Sequence, residues 1–284
     1  MRSSSLIRAG SFAGAITAVL LVDFWPVVGR TADTELTAHR AVYELNLARS
    51  RGKSSTVAAR GRILYDFSGN VCDGYKLEFR QVSELDNGEG RVSLSDLRSN
   101  TWEDGAGKAY QFKSQNFLNE KQVDSVDGRA ERRPNGIAVT LAKPKDRKMD
   151  LDVATIFPTE HVRRIIEAAR DGKTILEFPV YDGSESGEKI YNTLTVIGRE
   201  IAANTRLPTD AASGHQVLKD MKRWPVTVSY FDKAVKAGEQ LPVYSISFEL
   251  YDNGIARALV LDYNDFAING ELKTLEISNS KACP

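Results

Sequence analysis

Cysteine and histidine are scarce in this 284-residue chain, which holds two of the first and three of the second. His39, His161 and His215 are scattered and have no metal-ligand spacing. Neither cysteine belongs to a CxxC pair, which removes the usual motif for thiol–disulfide catalysis. Net charge is missing too, because 38 Lys and Arg balance 38 Asp and Glu. Nucleic-acid binders carry a basic excess that neutralises phosphates, so that class is set aside. There is no phosphate loop and no dinucleotide fingerprint. The one extended apolar run, Ala9 to Val22, stops at Asp23 and is shorter than the ~20 residues that span a bilayer.

That run follows Arg2 and Arg8, the order of a secretory signal. Residues 1–29 are therefore read as a signal peptide and 30–284 as a single β domain. Removal of the leader is expected between about Gly29 and Ala32. Val27-Val28-Gly29 is a tolerable cleavage site, whereas Ala32 has the bulky Arg30 two positions upstream. No cysteine lies near the junction to be acylated. The expected location is the periplasm, without a stable transmembrane anchor. In an oxidising compartment an even cysteine count suggests pairing, so Cys72 and Cys283 are read as a structural disulfide.

From residue 36 onward the dominant hydrophobic period is two. Ala41, Tyr43, Leu45 and Leu47 form one such set. Tyr75, Leu77 and Phe79 alternate with Lys76, Glu78 and Arg80, and Tyr244, Ile246, Phe248 and Leu250 alternate with Ser245, Ser247 and Glu249. This is the pattern of strands with one wet face. Asn87-Gly88, Asp104-Gly105, Asp127-Gly128, Asn135-Gly136, Asp252-Asn253-Gly254 and Asn269-Gly270 are read as turns between strands. Consecutive hairpins imply an antiparallel meander, wound into a barrel or sandwich-like sheet. Arg129, Arg132 and Arg133, with Lys143, Lys145, Arg147 and Lys148, flank turn residues and are read as solvated.

Two helical stretches interrupt the strands. Thr159 can cap the first, Val162, Ile165, Ile166 and Ala169 make its apolar stripe, and Gly172 offers a stop. It is expected to plug or cover the sheet. The second runs from His215 to Arg223, and residues 201–215 are expected to form a long loop.

The search for catalytic groups gives nothing that stands. Gly183-Ser184-Glu185-Ser186-Gly187 resembles a nucleophile elbow but has Glu185 where the nucleophile belongs. Ser186 with Lys189 and Ser50 with Lys53 fit Ser-x-x-Lys, a pattern common by chance. Asp150 and Asp152 are read as solvated. No catalytic, cofactor or metal residue is assigned. Aromatic residues such as Tyr110, Phe112 and Phe117 recur along the strands. On a concave face they could hold an apolar or amphipathic ligand.

Several segments together resemble a known family. They are Cys72-Asp73-Gly74-Tyr75, Thr101-Trp102-Glu103-Asp104-Gly105, Phe157-Pro158-Thr159-Glu160-His161, Tyr181-Asp182-Gly183-Ser184-Glu185, Trp224-Pro225-Val226, Tyr230-Phe231, Tyr251-Asp252-Asn253-Gly254 and Cys283. The chain is similar, over most of 38–283, to the cell envelope integrity protein EipB family of alphaproteobacteria. The resemblance implies an all-β, mainly antiparallel sheet curled into an incompletely closed spiral, shaped like the periplasmic lipoprotein carriers. It implies the Cys72–Cys283 bond, resistance to envelope stress, and a genetic connection to periplasmic tetratricopeptide-repeat proteins. No enzymatic activity is attached to the family.

Three functions follow as expectations. The first is a non-enzymatic envelope factor that binds a periplasmic protein or an envelope component. The second is a carrier of a lipid or acylated peptide, and the third an unrecognised hydrolase. An open apolar cavity favours the carrier, whereas a filled interior with a free sheet edge favours the protein binder.

Overall fold

The computed structural model describes residues 34–52, 56–234, 241–278 and 283. The leader, its cleavage region and Lys53 lie outside these residues. Alternating apolar residues produce β1 (His39–Ser50), β2 (Ala58–Asn70), β3 (Gly74–Asp86), β4 (Val92–Glu103), β5 (Ala109–Leu118), β6 (Lys121–Arg133), β7 (Gly136–Lys143) and β8 (Arg147–Leu151). Helix α1 (Pro158–Arg170) follows, then β9 (Ile175–Val180) and β10 (Tyr191–Ile197). A short helix α2 (Gln216–Lys219) precedes β11 (Arg223–Asp232), β12 (Tyr244–Tyr251), β13 (Ala256–Asp262) and β14 (Phe266–Ile277).

Among the described residues, fourteen strands join one antiparallel sheet in the order β8 to β1, then β14 to β9. The first and last strands pair at its centre, His39 opposite Ile277 and Leu45 opposite Gly270. The strands flanking the helix, β8 and β9, are therefore the two edges. The sheet is curled and left open between them. Across this seam, Ile156 donates to the Pro179 carbonyl at 2.9 Å and accepts from the Tyr181 N–H at 3.0 Å.

Register carries the inward residues across neighbouring strands. Leu77, Thr101, Phe112, Gly128 and Leu141 form one row, and Phe79, Ser99, Ser114 and Val126 the next. Above them lie Gln81, Leu97 and Asn116. Helix α1 buries Ile165, Ile166 and Ala169 against Phe67, Tyr75, Trp224 and Val226, which closes one end of the curl. Each fully buried aliphatic side chain there contributes about 1.5–3 kcal/mol. Ala212 and Leu218, from the segment before β11, pack on Leu272 and Leu275. That segment is fastened by Arg257, which bonds Asp210 at 2.9 Å and also Glu249, and by Arg223, which bonds Glu249 at 2.7 Å.

Several expectations are corrected. Asn269-Gly270 lies inside β14, and the turn before that strand is made at Asn264, whose φ is 68°. Asp127-Gly128 lies inside β6, at a break in its register with β7. In both cases glycine admits a close neighbour rather than a turn. A Cβ on Gly128 would stand 2.6 Å from the Phe112 ring and 2.8 Å from Leu141. Gly128→Ala is accordingly expected to cost about 1–3 kcal/mol by overpacking, read as a lower denaturant midpoint with an unchanged slope.

Thr159 is not the helix cap: Phe157 occupies that position without a side-chain bond, and Pro158 starts the helix. The stop at Gly172 holds, with φ at 72° and its N–H donating to the Ala169 carbonyl. The second helix spans only Gln216–Lys219, because Arg223 already pairs with Tyr251 in the sheet. Arg132 is not a solvated turn residue. It lies in β6 and donates to the carbonyls of Gly107, Val153 and Thr155. Phe117 leaves the concave face and lies beneath the Arg98 guanidinium, 4.9 Å from its ring centroid.

Candidate functional site

The inner faces of β1–β3 and β11–β13, with α1, enclose an apolar cavity of about 350 Å³. Tyr43, Ile63, Phe79, Tyr244, Ile246 and Phe248 are among its walls, and Val162 and Ile165 face it from the helix. The volume falls in the range of small-molecule sites, about 300–1,000 Å³. Tyr230, Tyr244, Ile246 and Phe248 are only half-buried although they line this interior. The period-two pattern thus yields an apolar face that is incompletely filled. Phe112 and Tyr110 lie outside the cavity, in a packed cluster with Val139, Leu141 and Phe157.

A chain of contacts fastens α1, which forms the lid of this cavity. Asn70 Oδ1 accepts the N–H groups of Cys72 and Asp73, both at 2.8 Å, shaping the turn between β2 and β3. Cys72 is bonded to Cys283, with Cα atoms 5.8 Å apart. Trp102 Nε1 donates to the Asp73 carbonyl at 3.2 Å, and Gly74 leaves room for its ring. The next residue, Glu103, is 2% exposed, and its carboxylate accepts the N–H groups of Thr159 and Glu160, both at 2.7 Å. Those are two of the donors that a helix start leaves unsatisfied. Glu103 is therefore the cap of α1, supplied from a distant strand. Burial pushes its carboxyl up to about 7, with the two N–H donors acting in the opposite direction. Arg132 and Arg164 hold Glu160 at 3.1 and 2.6 Å, and Arg163 bonds the Gly105 carbonyl.

A second closure lies along the seam. Tyr181 donates to the Gly187 carbonyl at 2.6 Å, and Tyr110 donates to the Asp182 carbonyl at 3.0 Å. Gly183 and Gly187 pack on Phe112, Val126 and Leu141, where a side chain would collide. Arg147 of β8 bonds Glu188 at 2.6 Å. The Gly183–Gly187 stretch is a packed turn: Glu185 has φ 52° and accepts from Tyr191 at 2.6 Å and Lys189 at 2.7 Å. Asp182 keeps some accessible surface, but that surface opens into the cavity. Burial pushes its carboxyl above the usual carboxylate range.

The histidines do not form a site. His39 and His161 both border the cavity, and burial lowers both, His161 to about 4. His161 Nε2 lies 3.3 Å from Thr195 Oγ1, and its ring meets Phe178 edge-on. His215 sits elsewhere, its Nε2 2.9 Å from the Leu275 carbonyl. Lys189 is also tied to Asp232 at 3.3 Å, away from Ser186. Asp152 lies beyond β8 and caps the Ala154 N–H at 2.8 Å. Among the described residues no cluster of His, Cys, Asp or Glu could hold a metal ion.

Of the segments that carry the resemblance, those at 72–75, 101–105, 157–161, 181–185 and Cys283 meet in the disulfide turn, the helix cap and the seam. Trp224 and Val226 instead pack beneath α1, Tyr230 lines the cavity, and residues 251–254 make the turn between β12 and β13. The EipB-like family profile matches residues 30–279. The chain belongs to the EipB-like family. It is 33% identical over 271 residues to the cell envelope integrity protein EipB of Brucella abortus (strain 2308), covering 95% of each chain. It is also similar to the crystal structure of a beta-barrel-like protein of a domain of unknown function from Brucella abortus. That match has a TM-score of 0.78 and 34% identity, and covers 86% of this chain and 99% of the other. The structural match agrees with a barrel-like, mainly antiparallel sheet for this chain. No helix among the described residues is long and apolar enough to cross a membrane.

Proposed function

We propose that this chain is a non-enzymatic, periplasmic factor in cell-envelope integrity, and that it acts by holding an apolar part of an envelope component inside the spiral. The relative's name supports the envelope role. The apolar cavity supports the mode of action, because its wall consists mainly of aliphatic and aromatic side chains with few convergent polar groups. A chain methylene moved from water into such a site gains about 0.8 kcal/mol. The disulfide and the Glu103 cap keep the enclosure in shape, and no nucleophile is required.

Ile246→Trp tests this reading, since residue 246 has free surface toward the cavity. In a strain lacking the gene, the variant is expected to fold with little change in Tm yet fail to restore resistance to detergents or cell-wall antibiotics. Full rescue by a folded Ile246→Trp protein contradicts the reading. Folded alanine variants at Ser184, Ser186 or His215, which lie outside the cavity lining, are expected to rescue; complete loss in one of them would instead favour the hydrolase.

Binding of a periplasmic protein, a tetratricopeptide-repeat protein among the candidates, is the second reading. Ile175 of the β9 edge and its partner Val196 are 60% and 46% exposed, an apolar pair at the start of an edge strand whose other end is bonded to Ile156. The opposite edge is less suited, because β8 has five residues and its Arg147 is engaged across the seam.

A further inference from the structure

Resting on the cavity reading, we propose that the ligand is an uncharged amphiphile: an acyl or alkyl chain ending in hydroxyl or amide groups, without phosphate or carboxylate. The charge of the enclosure carries this. No Lys or Arg is among the described residues that line the cavity. Its two histidines are held neutral by burial near pH 7. The acid on its wall is Asp182, and Glu103 lies next to Thr159, which also borders the space. An anionic headgroup drawn inside would lose its water and find the Asp182 carboxyl rather than a cation, a cost that no described lining residue offsets.

Neutral polar groups meet a different surface. On the inward rows beside the cavity residues Thr101, Phe79 and Gln81 stand Ser99, Ser114 and Asn116, all half-buried. Asn116 Oδ1 is buried and accepts no hydrogen bond. Hydroxyls and an amide of this kind satisfy sugar, glycerol or peptide groups, whose donors and acceptors they match without a change in charge. The cavity therefore offers an aliphatic and aromatic wall for the chain. Ser99, Ser114 and Asn116 extend the inward rows beside it as hydrogen-bonding groups for its end, with Asp124 opposite Asn116 adding an acid rather than a cation.

The experiment uses the disulfide-intact protein at pH 7.5 with N-phenyl-1-naphthylamine as an apolar fluorescent probe. Dodecyl maltoside, dodecyl phosphate and dodecyltrimethylammonium then compete for the site, each below its micelle concentration, so that only the headgroup differs. The maltoside is expected to displace the probe at concentrations at least about tenfold lower than the phosphate, and Asp182→Asn is expected to narrow that gap. Equal or better displacement by dodecyl phosphate overturns the inference while leaving the cavity reading intact. So does preference for the ammonium compound, which would make Asp182 a cation site. Failure of the probe to bind at all overturns the cavity reading and the inference with it.

Discussion

Reduction of the Cys72–Cys283 bond, or Cys283→Ser, is expected to lower the melting temperature by about 10 °C. The bond joins residues separated by 211 positions. In the chain-entropy model a loop of that length contributes about 5 kcal/mol, an upper value because denatured chains retain structure. The location adds to the effect. Cys72 sits in the turn whose Asp73 carbonyl receives Trp102, the residue before the helix cap. Loss of the bond should therefore loosen the lid before the central strands, seen as early hydrogen exchange in α1 at temperatures where β1 and β14 stay protected. Differential scanning with and without reductant measures the first effect. Uniform exchange, or an unchanged melting temperature in a verified reduced sample, would contradict this account of the bond.

Glu103→Ala is expected to destabilise the protein by about 3 kcal/mol, because two buried N–H groups at the start of α1 lose their acceptor. Glu103→Gln keeps an acceptor and should be far milder. It should also change the pH dependence. A Glu carboxyl moved from 4.5 to about 7 binds its proton more tightly in the folded state. Its contribution is full below pH 4.5 and is lost as pH rises through 7. His161, lowered from 6.5 to about 4, acts in the opposite sense and removes stability as pH falls below 6.5. His39 shares that direction. The acid and the imidazoles oppose each other below pH 6.5, so the wild-type profile alone is uninformative. Between pH 5.5 and pH 8 the wild type should lose about 1–2 kcal/mol relative to Glu103→Gln, measurable by urea unfolding at both values. Parallel profiles for the two proteins would remove Glu103 from the titration.

Much of the fold is legible because a strand with one wet face must alternate. Tyr75, Leu77 and Phe79 announce their side of β3, and the stripe Val162, Ile165, Ile166 and Ala169 announces the buried face of α1. Asn-Gly and Asp-Gly are weaker signs, since glycine also allows close approach of neighbouring side chains, as at Gly128 and Gly270. The cap of α1 is not readable locally: Glu103 lies 56 residues before the N–H it receives from Thr159. Arg132 was obscured for the same reason, its carbonyl partners at Gly107, Val153 and Thr155 being joined only by the curl. The cavity is the least legible feature, because Ile246 and Phe248 follow the same alternation whether the space they face is packed or empty.

The central claim is that an envelope component occupies the spiral, and native mass spectrometry of protein isolated from the periplasm without detergent tests it most directly. The account expects a bound, organic-extractable mass on the wild-type protein that is absent from folded Ile246→Trp. Wild-type protein carrying no adduct and excluding N-phenyl-1-naphthylamine would contradict it.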